Sequence, residues 1–174
     1  MKSIYLDNAA TTPVAPEVFE AMIPYLTEHY GNPSSTHHLG RRTKTAIETS
    51  RRTIAKALNC QPSEIYFTSG GTEADNLAMH AAVRDMGCQH IITTPIEHSA
   101  IVKTAELLDQ QGKAKLHFVK LTENGSVDLQ HLEELLGNHT HSYVTLMHGN
   151  NEIANLLPLQ EVAEMCKKYN ALFH

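Results

Sequence analysis

Apolar residues recur along this chain in two rhythms. Short runs rich in β-branched and aromatic residues, at 64–68, 90–94, 115–119 and 142–147, predict strands. Between them, residues 72–86, 99–111 and 128–136 carry helical spacing, and each stretch is followed by a glycine (Gly87, Gly112, Gly137) suited to the left-handed conformation that ends a helix. Upstream, Leu39, Ala46, Ile47, Ile54, Ala57 and Leu58 mark one face of a further helix whose other face carries Arg41, Lys44, Glu48 and Arg52. An earlier helix is expected over 16–30, with Val18, Met22, Tyr25 and Leu26 turned inward and a kink at Pro24. The last helix starts at Pro158 and buries Val162, Ala163, Cys166 and Tyr169. The apolar run 171–174 then predicts one more strand and a domain that continues beyond His174, a frayed tail being the alternative.

Strands alternating with helices over short connections predict an α/β fold with a mainly parallel sheet flanked by helices, because parallel neighbours need a crossover and a helix supplies it. The 174 residues suffice for one domain or part of one. Acidic side chains outnumber basic ones, 19 against 14, and no cationic block exists to hold a phosphate backbone, so direct nucleic-acid binding is not expected. No apolar stretch approaches the roughly 20 residues of a membrane helix, and Asp7 interrupts the start too early for a secretory signal, so a cytoplasmic protein is expected. Cys60, Cys88 and Cys166 are odd in number and widely spaced, which suggests reduced thiols. The chain has twelve histidines, but His37-His38 and His139-x-His141 lack the spacing of a recognisable zinc site, and no metal is expected.

Three segments could carry chemistry. Thr68-Ser69-Gly70-Gly71-Thr72-Glu73-Ala74-Asp75-Asn76 follows a predicted strand and opens a helix. Its glycines allow backbone N–H groups to converge, the hydroxyls of Ser69 and Thr72 add donors, and the helix presents its positive end, so a phosphate would sit there. A plain turn with a hydroxyl cap accounts for the bare pattern equally well. Pro95-Ile96-Glu97-His98-Ser99 places an imidazole at a strand's carboxyl end, able to stack on a planar ring or exchange protons, or simply to cap the helix. His148-Gly149-Asn150-Asn151-Glu152 offers side-chain amides after the fourth run, or only a tight turn. All three follow strand-like runs and so fall on one rim of a parallel sheet. A phosphate cradle, a stacking imidazole and an amide suggest a phosphorylated aromatic cofactor.

These segments, together with Leu6-Asp7-Asn8-Ala9-Ala10-Thr11-Thr12-Pro13, Gly31-Asn32-Pro33-Ser34-Ser35 with His37 and Gly40, and Asn150-Asn151-Glu152-Ile153, resemble the pyridoxal-phosphate-dependent cysteine desulfurases of the class V aminotransferase group. The resemblance runs in order across nearly the whole chain. It implies the large domain of the aspartate-aminotransferase-like fold, incomplete here, with residues 1–15 as an amino-terminal segment and 16–174 as the first part of the cofactor domain. Gly71 and Thr72 would hold the cofactor phosphate. His98 would stack on the pyridine ring and take part in proton movement, as a catalytic residue. Asn151 would bond the ring oxygen and sit near the substrate carboxylate, and Ala9 and Ala10 would line the substrate pocket.

The implied activity removes sulfur from L-cysteine, leaving alanine, and passes it as a persulfide to an iron–sulfur scaffold or to transfer-RNA thiolation, in a homodimer. The group's pyridine-pairing Asp, Schiff-base Lys, substrate-binding Arg and persulfide-forming Cys would all lie beyond His174, so this chain alone should not turn over. Neither Lys103 nor any of the three cysteines stands in a matching context. Ala154 occupies a position where the group commonly shows Gly. Selenocysteine lyase or a small-amino-acid transaminase would share the same cofactor residues, and a non-enzymatic phosphate-binding or partner-binding fragment is the alternative outside enzymes.

Overall fold

The computed structural model describes residues 3–174, in two compact units that meet in sequence at Phe67 and Thr68. The first unit holds helix α1 (Pro16–Thr27), helix α2 (His38–Ala57) and a 3-10 turn (Pro62–Glu64). α1 opens with Pro16 after an extended Ala15 and passes through Pro24 to end three residues later. Contrary to the inward face expected of it, α1 has no buried residue, and Val18, Met22, Tyr25 and Leu26 are all exposed. Two amphipathic helices and a turn have too little apolar area between them to cover that face. α2 is better anchored. A Cβ on Gly40 would collide with the carbonyl oxygens of Ser35 and Asn32, so the first turn lies directly on the 32–35 loop. Further along, Arg51 donates to the Ile65 carbonyl and lies 4.8 Å over the Phe67 ring.

The predicted strand over 64–68 is not a strand. Ile65 is extended, but no other strand of the described residues lies alongside to take its hydrogen bonds, and Tyr66 and Phe67 stand exposed. Residue preference favoured a strand, and pairing decided against it.

The second unit contains α3 (Gly71–Arg84), β1 (His90–Thr93), α4 (Ser99–Gln110), β2 (Lys115–Phe118), α5 (Leu129–Asn138), β3 (Ser142–Val144), α6 (Leu159–Lys168) and β4 (Leu172–Phe173). The strands form one parallel sheet in the order β2-β1-β3-β4. Side chains alternate across it. Ile91 and Tyr143 join Met79, Ile101, Ala105 and Leu108 of α3 and α4 on one face. Ile92 and Val144 join Leu132, Leu136, Val162 and Cys166 of α5 and α6 on the other. The α/β class and the parallel sheet are as expected. The run 171–174 does supply a fourth strand, although Ala163 of α6 is exposed where burial was expected.

Helix endings follow the glycines in two of three cases. Gly87 and Gly112 adopt positive φ, at 73° and 66°. α5 instead runs through Gly137 to Asn138, and the left-handed residue is His141, at φ 55°.

Candidate functional site

The strand order fixes where a ligand can enter. From β1 the chain leaves through α4 to β2 on one side, and from β3 it leaves through α6 to β4 on the other. The connections therefore part between β1 and β3, and a crevice outside the carboxyl ends of those strands is where open parallel sheets bind ligands. Residues 94–98 and 145–151 are the two loops that flank it.

Those loops are tied together. The Met147 N–H donates to Glu97 Oε1 at 2.6 Å, and Asn150 Nδ2 donates to the Ile96 carbonyl at 3.0 Å. Asn150 also accepts the Glu152 and Ile153 N–H groups through Oδ1, at 2.8 and 3.0 Å, which folds the turn back on itself. Burial raises the Glu97 carboxyl above its usual range, against the lowering effect of the Met147 hydrogen bond, and Asp75 of α3 adds to the rise. Thr93 Oγ1 donates to the Thr145 carbonyl at 2.9 Å and locks the ends of the two strands beneath.

The glycine-rich turn is open to an anion. The N–H groups of Gly71, Thr72 and Glu73 find no acceptor among the described residues, the first backbone bond of the helix being Ala74 N–H to the Gly70 carbonyl at 3.1 Å. Nothing lies within 4 Å of where a Cβ would stand on Gly70 or Gly71, so the backbone is accessible from outside. Unpaired N–H groups at the positive end of a 14-residue helix fit a phosphate. The Thr72 hydroxyl is exposed and has no partner among the described residues. Ser69 is not a free donor, contrary to expectation. Its N–H and hydroxyl both donate to Glu73 Oε2, at 2.7 and 2.6 Å. That clasp shapes the turn and holds the Glu73 carboxyl below its ordinary range. Helix α3 is joined to α4 through Asn76, which donates to the Thr72 carbonyl at 2.7 Å and accepts from Thr104 Oγ1 at 2.8 Å.

His98 is the N-cap of α4. Its Nδ1 accepts the Ala100 N–H at 3.1 Å, so the neutral ring carries its proton on Nε2 and its exposed faces are free to stack. Asn151 is exposed, with Nδ2 donating to Glu152 Oε1 at 3.2 Å. Hydrogen bonds thus link the loops that carry His98 and Asn151, and α3, which Thr72 opens, is tied to α4 at Thr104, while the three side chains make no direct contact. The hollow beside Thr72 is walled by Ser69, Asn76 and His80, with neither His98 nor Asn151 in its lining.

Ala9 and Ala10 belong to the first unit. They sit in an exposed turn where the Ala10 N–H donates to the Asp7 carbonyl at 3.2 Å. Lys103 is exposed on α4. Burial raises the Cys88 thiol and pushes that of Cys166 up to about 11, the opposite of what a nucleophilic cysteine needs.

Sequence reasoning gave Glu97 no role and offered Asn150 only as an amide in a turn, yet these two residues tie the rim together. The doubled Asn was the available signal, since one amide can organise a turn while the next faces outward. No helix among the described residues is long and apolar enough to cross a membrane.

Residues 4–174 match the family described as Aminotransferase class-V. The cysteine desulfurase IscS of Dictyoglomus turgidum is 42% identical over 175 residues, covering 99% of this chain and 44% of that one. The IscS of Methanosarcina thermophila is 43% identical over 176 residues, with 99% and 43% covered. Among solved structures, a NifS-like protein matches with a TM-score of 0.91 at 37% identity, covering 98% of this chain and 48% of that one. A structure of SspA in complex with cysteine matches with a TM-score of 0.91 at 31% identity, covering 99% and 50%. The chain therefore spans less than half the length of the curated relatives it matches, and nearly all of it adopts the fold that the resemblance implies. The chain belongs to the class-V aminotransferase family.

Proposed function

We propose that this chain supplies the amino-terminal part of a pyridoxal-phosphate-dependent cysteine desulfurase, with residues 16–174 contributing to the cofactor domain. The observation that carries the proposal is the set of unpaired N–H groups at Gly71, Thr72 and Glu73, on a helix hydrogen-bonded through Asn76 to Thr104 of α4, the helix that His98 caps. The relatives' name, cysteine desulfurase, supports removal of sulfur from cysteine; in this reading alanine remains and the sulfur passes as a persulfide to an acceptor such as an iron–sulfur scaffold. A homodimer is part of the same reading.

When bound, pyridoxal phosphate supplies an electron sink for the bonds at the substrate's α-carbon. The chain's own residues bind and orient. Gly71, Thr72 and Glu73 would give three N–H donors to the phosphate, and the Thr72 hydroxyl a fourth, each strengthened by the anion's charge. Glu73, already engaged by Ser69, keeps the turn in the shape that exposes those donors. His98 would lie flat on the ring. With Nδ1 committed to Ala100, its Nε2–H is the atom available to donate, and taking a proton at Nδ1 costs the helix cap. Proton movement at His98 is thereby coupled to the first turn of α4. The Asn151 amide would bond the ring oxygen from the neighbouring loop. The resemblance further assigns Ala9 and Ala10 to the substrate pocket.

The test is a chimaera in which this chain replaces the corresponding part of the Dictyoglomus turgidum relative. Purified with pyridoxal phosphate and given L-cysteine and a thiol reductant, it should release sulfide and alanine in equal amounts. A chimaera that retains the cofactor yet forms neither product would overturn the assignment.

A further inference from the structure

Three imidazoles far apart in sequence meet on one face of the sheet. His90 opens β1, His117 is the third residue of β2, and His139 caps the carboxyl end of α5. The register pairs His90 with Lys115 and Ile92 with His117, so the two strand histidines are diagonal neighbours on one face. The turn after α5 delivers the third. The His139 carbonyl accepts the Ser142 hydroxyl at 2.8 Å, and the His141 carbonyl accepts the Gln89 N–H at 2.9 Å, so the backbone around His139 is pinned to the strands.

His90 Nδ1 and His117 Nε2 are hydrogen-bonded at 3.0 Å, so an ion between them requires the shared proton to sit on the other nitrogen of its ring. The His139 ring stacks on both, with centroids 4.0 Å from His117 and 4.5 Å from His90. One nitrogen from each ring falls within 4.8 Å of the other two, and all three residues are half-buried. We infer that His90, His117 and His139 form a binding site for one divalent first-row transition ion of the zinc type, with a fourth position left to water.

The spacing of the nitrogens is close to what one ion requires, once the stacked His139 ring turns its edge toward the other two. Two imidazole nitrogens on a tetrahedral zinc, each about 2.0–2.1 Å from the metal, are about 3.3 Å apart. The His90 and His117 nitrogens already stand near that separation, and the third needs to approach by only about 1.5 Å, a side-chain rotation of a half-exposed ring. Three neutral imidazoles without thiolate or carboxylate suit zinc, copper or nickel rather than calcium or magnesium. The nearest cation, Lys115, is already paired with Asp109 at 3.0 Å.

The site is separate from the proposed cofactor rim. His90 begins β1, whereas the loop to His98 leaves from its other end, about 10 Å along a four-residue strand. A metal there would staple β1, β2 and the α5–β3 turn together.

The experiment titrates the full chain with zinc chloride against a chromophoric chelator, and with cobalt chloride to read coordination from its visible spectrum. One zinc per chain, a four-coordinate cobalt spectrum and a zinc-dependent rise in Tm are expected. His117→Ala and His139→Gln should each weaken zinc binding at least about tenfold and remove the cobalt bands. His38→Ala, in the only histidine doublet of the chain, should change neither. Circular dichroism establishes that each variant is folded, and His139→Gln lies outside the sheet in case His117→Ala is not. Absence of stoichiometric zinc binding, or binding that survives both substitutions, overturns the inference.

Discussion

The Glu97 carboxylate accepts the Met147 N–H at 2.6 Å, across 50 residues of sequence, and this bond joins the loop that ends β1 to the loop that ends β3. Glu97→Ala should destabilise the chain by about 1 kcal/mol, because a part-buried N–H loses its partner. Glu97→Gln keeps an acceptor without the charge. Burial raises the folded carboxyl, so the stability it contributes is fullest below its unfolded value and is lost as pH rises through the folded one. Chemical denaturation from acid to neutral pH should show Glu97→Gln gaining on the natural protein across that window. A constant difference at every pH would refute this account of Glu97.

Ala154 adopts φ 60°, a conformation that costs an L-residue with a Cβ roughly 1–2 kcal/mol. The turn is imposed by Asn150, whose carbonyl accepts the Ala154 N–H at 2.9 Å and whose N–H donates to the Asn155 carbonyl at 2.9 Å. Ala154→Gly should therefore raise stability by about 1 kcal/mol, the reverse of the usual effect of glycine. Urea denaturation checks the sign.

Gly40 packs its α-carbon against the Asn32 and Ser35 carbonyls. Gly40→Ala should cost about 1–3 kcal/mol through displacement of the 32–35 loop. Its effect should appear in amide exchange of the first unit and leave the parallel sheet protected.

Thr72→Ala removes one hydroxyl from the anion cradle and touches no other partner. A hydrogen bond to a charged group contributes about 1.5–3 kcal/mol, so affinity for pyridoxal phosphate, measured by equilibrium dialysis, should fall at least about tenfold. The fold should be unchanged.

His98 combines a cap with a free ring face. His98→Asn preserves the cap and removes the ring, whereas His98→Ala removes both and should cost a further 1 kcal/mol, roughly, in stability. In the chimaera both variants should lose sulfide release, which separates the two roles.

The parallel sheet was legible because β1, β2 and β3 carry dense apolar runs at regular intervals and each crossover helix has a polar boundary. Residues 64–68 misled because their composition is that of a strand, while a strand exists only where a neighbour takes its hydrogen bonds. The exposure of α1 was equally invisible: Val18, Met22, Tyr25 and Leu26 sit at inward spacing, and spacing cannot reveal that nothing covers them. In the candidate site, the glycine turn and His98 were readable from local sequence. The Glu97 and Asn150 ties join residues 50 and 54 apart, and the His90–His117 pair spans 27, so no window along the chain contains either.

The central claim is that one rim of the sheet receives a pyridine ring with a phosphate tail. Nitrogen-edited NMR of the labelled chain during titration with pyridoxal phosphate tests it most directly. A ring bound on this rim should give saturable shifts at the Gly71, Thr72 and Glu73 amides, the His98 ring and the Asn151 side-chain amide, all with one dissociation constant. Shifts confined to the Thr72 turn and reproduced by inorganic phosphate, with His98 and Asn151 unmoved, would contradict it.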